Sequence, residues 1–265
     1  KWAAALANQA CGVLAQPQCE ASVQACGEVI GGQCDDSLIV DLLEGSGGTS
    51  TNMNFNEVIA NRAQQLMGHA AGSYEVVHPN DHVNASQSTN DVYPAALKIA
   101  THAMLGPLID EVEQLAASFD HKTAQFADIL HLGRTCLQDA QPMRLGQLFS
   151  GYAALTHRLA AELTSVCDTL RTLPLGGTAI GTGFGAPAAY RDAVYQHLVH
   201  ITGIGYQAPS NAFDAMQNMD VFSRVSAELR TCSASLAKIA TDLTLLSSGP
   251  VGGIGELKLP EAQAG

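Results

Sequence analysis

Three short segments concentrate hydroxyl and amide side chains with little charge. They are Thr49-Ser50-Thr51-Asn52, the run "HVNASQSTND" over 82–91 with Ser88, Thr89 and Asn90, and Thr135 in "GRTCLQDAQP". Ser, Thr and Asn at a helix start accept from the free backbone N–H groups. The same N–H groups, with the positive end of the helix dipole, hold anions. One cap residue satisfies a helix, so capping explains any one cluster alone. Three clusters of several donors each exceed that need, and a pocket for a small carboxylate is an equal reading. Each cluster is expected to stand before a helix. Pro142 is expected in the first turn of the helix after Thr135, where a missing N–H does no harm.

Other chemistry-bearing residues carry weaker signals. His78 and His82 in "HPNDHVN" have the titration range of acid–base groups, but a structural role is the simpler reading for each. Glu57, Asp91 and Asp139 would repel a carboxylate, so they are read as ion-paired or capping groups. Arg134 suits pairing with such an acid. "GTAIGTGFG" over 177–185 lacks the Gly-Lys-Ser/Thr ending and the preceding strand of a phosphate loop.

The elements that must position these residues are helices. Leu97, Met104, Leu105, Leu108, Val112, Leu115 and Phe119 recur at threes and fours. So do residues from Leu145 to Leu170 and from Val221 to Leu246, the last ending at "SSGP". These apolar stripes predict three long helices, the latter two about 40 Å each at 1.5 Å per residue. Long striped helices pack antiparallel into a bundle, and three in one chain leave stripe for a second copy to cover. No segment alternates with period two, so strands are expected to be few and short. The fold class is mainly α, a long-helix bundle.

Bulk composition narrows the function. The chain has 265 residues, 46% hydrophobic and 14% charged, with a net charge of −12 and only 13 Lys and Arg. Scattered cations do not form the basic face that nucleic acid requires, so neither nucleic acid nor a membrane is expected as partner. The seven cysteines, Cys11, Cys19, Cys26, Cys34, Cys136, Cys167 and Cys232, contain no Cys-x-x-Cys. No metal is expected from them, and they are read as reduced thiols of a cytoplasmic protein. The first residues, "KWAAALANQACGVL", have neither an initiator Met nor a secretion signal and suggest an internal start. The end at "LPEAQAG" suggests that residues are missing there too.

Four stretches carry a family resemblance: "GTSTNMNFNEVIANR", "HPNDHVNASQSTND", "GRTCLQDAQPMRLGQ" and "LLSSGPVGGIGELKLPE". In this order the chain resembles the fumarase/aspartase superfamily over nearly its whole length. Ser50, Thr89 and Ser247 are similar to the aspartase branch rather than the fumarase branch. The resemblance implies a bundle of the fumarase/aspartase type, incomplete at both ends. Residues 1–90 would be the remainder of an N-terminal domain and 91–265 the central bundle domain without its C-terminal part. It implies a homotetramer whose active sites draw on three subunits, a small dicarboxylate substrate and no organic cofactor.

The implied reaction is reversible loss of ammonia from L-aspartate, through a carbanion at Cβ, to give fumarate. Ser88 and Thr89 would bind the β-carboxylate, Thr49 and Asn90 the amino group and nearby oxygens, and Thr135 the other carboxylate. Cys136 stands where the family has His or Gln. The catalytic Ser is expected just beyond Gly265, with a Lys and an Asn. His78 would belong to a secondary anion site. Gln141 and Arg144 leave room for altered specificity. The alternatives are a fumarase-type hydratase, a related lyase on another succinate-like substrate, or a non-catalytic scaffold.

Overall fold

A computed structural model describes residues 1–41 and 43–261. The helices are α1 (Trp2–Ala10), α2 (Gln16–Ile30), α3 (Thr49–Leu66), α4 (Thr89–Gln125), α5 (Leu145–Thr169), α6 (Tyr190–Thr202), α7 (Ala212–Gln217) and α8 (Asp220–Leu246). One hairpin, β1 (Leu130–Thr135) with β2 (Gln138–Arg144), lies between α4 and α5. The three longest helices fall on the three stripes read from the sequence. No helix among the described residues is long and apolar enough to cross a membrane. All seven cysteines are free thiols.

The chain groups into two compact units. The first holds Lys1–His102 and Leu170–Met219. In it Ala3, Ala4 and Ala7 of α1 pack with Val194, Tyr195 and Leu198 of α6. Ala21, Ala25 and Cys26 of α2 pack with Ile59, Ala60 and Ala63 of α3. Small side chains at both contacts let the backbones approach closely, which suits short helices that carry little apolar surface each.

The second unit holds Ala103–Thr169 and the residues from Asp220 onward. Its core is aromatic near the hairpin: the rings of Phe119 and Phe149 each meet that of Tyr152 at 5.7 Å between centroids. Further along, Val112, Leu159, Leu163 and Cys232 continue the apolar seam of α4, α5 and α8.

The hairpin corrects one expectation. Pro142 sits within β2 opposite Leu132, and α5 begins only at Leu145. A two-stranded sheet has two open edges, where a residue without N–H breaks no ladder bond. Thr135 therefore ends a strand and does not stand before a helix, with all of β2 between it and α5.

Candidate active site

Helix α3 starts at Thr49 because Gly48 takes the left-handed conformation, φ +94°. A side chain at Gly48 would overlap the Tyr93 ring. The hydroxyl oxygen of Ser46 accepts from the Ser50 N–H at 2.8 Å. The Thr49–Asn52 cluster is thus the first turn of α3, and its cap comes from Ser46 upstream. Thr49 is exposed there, whereas Asn52 is buried.

Helix α4 starts with a capping box. The Ser88 Oγ accepts from the Asn90 N–H at 3.2 Å, and the Asp91 carboxylate accepts from the Ser88 N–H at 2.8 Å. This reciprocal pattern satisfies two N–H groups that the helix itself cannot. The second Asp91 oxygen accepts from Gly176 N–H and Thr178 N–H, both at 3.1 Å. Asn90 donates its amide to Ala179 O at 2.9 Å. Asp91 and Asn90 so fasten the Gly-rich loop to the start of α4. Gly176 has φ +84° and approaches Arg191 closely, which is a backbone reason for glycine in this loop.

Asp91 is fully buried. Burial pushes its carboxyl up to about 6, opposed by the three N–H donors and by Lys1. Lys1 belongs to the same polar network. Its ammonium donates to Asn84 Oδ1 at 2.8 Å and Gln87 Oε1 at 3.1 Å. Burial lowers it to about 7, with Asp91 opposing. Asn52 completes the network, donating to Asn84 Oδ1 at 3.3 Å and to Thr89 Oγ1 at 3.0 Å.

These contacts have a consequence for the hydroxyls. A hydroxyl has one proton to give and two lone pairs to offer. Thr89 accepts from Asn52, and Ser88 accepts from the Asn90 N–H. Each oxygen accepts one bond here, and neither bond uses the hydroxyl's own proton, which each hydroxyl keeps to donate. A carboxylate can accept it.

Of the residues singled out in the sequence, Ser88, Thr89 and Asn90 come together with the Thr49–Asn52 turn through the Asn52–Thr89 bond. Thr135 and Cys136 belong to the second unit. Both are exposed, and Thr135 pairs with Gln138 across a two-residue turn. The turn residues Cys136 and Leu137 have φ +52° and +60°, a conformation that ordinarily takes Asn or Gly.

His78 caps a short π-helical turn, Pro79–Val83. Its Nδ1 accepts from Asn80 N–H and Asp81 N–H at 3.3 and 3.1 Å. His82 Nδ1 accepts from His78 N–H at 2.8 Å, and burial lowers its pKa. Arg144 directs its guanidinium to Asp128 O at 2.8 Å. Gly265, beyond which the catalytic Ser is expected, lies outside the described residues.

Lys1, Asn84, Gln87 and Glu256 were not singled out as partners by the sequence. Asp91 carried a usable signal, because an acid three residues after Ser88 is a capping-box spacing. The others bond across long stretches of chain and leave no local pattern.

A helical scaffold with neutral donors gathered at helix starts is the kind of arrangement that suits a small anion. A family model described as a lyase matches residues 1–265. The chain belongs to this lyase family, the fumarase/aspartase superfamily, and its likeness runs to the aspartase branch.

It is 44% identical over 265 residues to the aspartate ammonia-lyase of Helicobacter pylori (strain ATCC 700392 / 26695), and 43% to that of Bacillus subtilis (strain 168). The whole chain is covered in both, against 57% and 56% of those proteins. The chain thus spans a little over half the length of the curated relatives it matches.

Among solved structures, it is similar to a fumarate lyase:delta crystallin from Brucella melitensis bound to cobalt, with TM-score 0.94 and 43% identity. It is also similar to a recombinant class II fumarase from Schistosoma mansoni, with TM-score 0.94 and 31% identity. Both likenesses cover all of this chain, and 57% and 58% of those chains.

Proposed function

We propose that the full-length protein eliminates ammonia from L-aspartate to give fumarate, reversibly and without an organic cofactor. The observation that carries the reading is the pair of hydroxyls of Ser88 and Thr89 at the start of α4, joined to the Thr49–Asn52 turn by the Asn52–Thr89 bond, in a chain 41–44% identical to aspartate ammonia-lyases throughout. Removing a proton from Cβ builds a second negative charge on the β-carboxylate. Preorganised donors stabilise such charge most where it develops. Ser88 and Thr89 fill that role, Thr49 and Asn90 meet the amino group and nearby oxygens, and Thr135 with Cys136 meets the other carboxylate. The base is a Ser just beyond Gly265.

The reading includes a cytoplasmic homotetramer with active sites shared between subunits. It keeps residues 1–90 as N-terminal domain and 91–265 as central bundle domain. His78 retains Nε2 for a secondary anion site, since its Nδ1 is committed to the turn.

Incubating the full-length protein separately with L-aspartate and L-malate, and following fumarate by its ultraviolet absorbance, tests the reading. Fumarate from aspartate and not from malate is expected. Fumarate from malate alone would replace the proposal with a hydratase.

A further inference from the structure

The hairpin that carries Thr135 is gripped from outside its own strands. Arg134 donates to the two oxygens of Glu256 at 2.7 and 3.1 Å. His131 Nδ1 lies 3.1 Å from the same carboxylate, with its side chain only 7% exposed. In a regular strand, residues three apart face opposite ways. Here the register shifts between Leu132 and Arg134, a local irregularity that increases twist, and both side chains reach one carboxylate.

Glu256 is itself fixed to the end of α8. Its N–H donates to Leu246 O at 2.9 Å, that of Leu257 to the same oxygen at 3.1 Å, and that of Gly255 to Ser248 O at 2.7 Å. The two bonds to Leu246 O cap a carbonyl that the helix leaves unpaired. Gly253 meets the Ser248 backbone so closely that a side chain has no room. The segment 253–257 therefore folds back on α8 and presents one acid to β1. The pairing lowers the Glu256 carboxyl, through its Arg134 hydrogen bonds first.

We propose that Glu256 is a positioning residue: through Arg134 and His131 it fixes β1 on the end of α8, so that Thr135 is presented to the substrate in one orientation. A fork-to-carboxylate pair sets direction as well as distance, and Thr135 is the next residue after Arg134. The inference rests on the reading of Thr135 as a carboxylate ligand.

A double-variant cycle in the full-length protein tests it. Glu256→Gln, Thr135→Ala and their combination are compared by kcat/KM for L-aspartate, by calorimetric binding of succinate, and by thermal midpoint. Glu256→Gln is expected to weaken succinate binding about tenfold alone, and to add almost nothing in the Thr135→Ala background, because residues acting through one another do not add. A purely structural acid would lower the midpoint and leave the two binding losses multiplicative. Multiplicative losses, or unchanged binding in folded Glu256→Gln, overturn the proposal.

Arg134→Lys keeps the charge without the fork and runs the same cycle if Glu256→Gln does not fold. Wild type that binds succinate but releases no fumarate from aspartate refutes the aspartase reading alone, and the succinate cycle still decides on Glu256. Wild type that binds no succinate overturns both.

Discussion

The amide nitrogen of Asn52 lies 3.0 Å from the hydroxyl oxygen of Thr89 and donates to it. The bond joins two sequence clusters and sets the polarity of the second. Asn52→Asp keeps the shape but offers only acceptors, so Thr89 would turn its proton inward. KM for L-aspartate is expected to rise about tenfold, equivalent to ~1.4 kcal/mol, with a smaller change in kcat. An unchanged KM would mean that the Thr89 proton does not serve the substrate.

Asp91 predicts a pH dependence of stability. Its folded pKa of about 6 lies above the ordinary 3.8, so the folded state binds the proton more tightly than the unfolded chain. Its contribution is fully present below pH 3.8 and is lost as pH rises through about 6. A shift of this size corresponds to about 3 kcal/mol. The stability of wild type minus that of Asp91→Asn, from urea unfolding at pH 4 and pH 7, is expected to be larger at pH 4. The opposite trend would show that the N–H donors and Lys1 outweigh burial.

Gly48→Ala should be strongly destabilising for two separable reasons. A left-handed φ costs an alanine about 1–2 kcal/mol, and the methyl would overlap the Tyr93 ring. Combining Gly48→Ala with Tyr93→Ala relieves the overlap and leaves the backbone strain. Denaturant midpoints are expected to recover partly, not fully, in the pair. Full recovery would exclude the strain.

The long helices were legible because an apolar stripe over more than twenty residues is a strong periodic signal. The hairpin was not. β2 is exposed at all but one position, so it has no apolar alternation to read, and Pro142 imitated a helix start. In the site, Ser88, Thr89 and Thr135 stood out by type and motif. Lys1 and Glu256 did not, because their partners lie 83 and 122 residues away. Such pairs are made by folding and have no local pattern.

The turn at Cys136-Leu137 yields the last prediction. Both residues hold positive φ, which two-residue hairpins favour because it matches strand twist. Neither side chain suits that conformation, and both are exposed, so no packing offsets the strain. Leu137→Gly removes the steric conflict but gives the unfolded chain more freedom, which opposes the gain by about 0.5–1 kcal/mol. The steric relief of about 1–2 kcal/mol is the larger, so the unfolding free energy should rise by up to about 1.5 kcal/mol. Because the turn keeps its shape, Thr135 stays in place and kcat/KM for L-aspartate should change less than twofold or so. Loss of stability in Leu137→Gly would mean that the Leu137 side chain is buried against something in the assembled protein, and the strain account would fail.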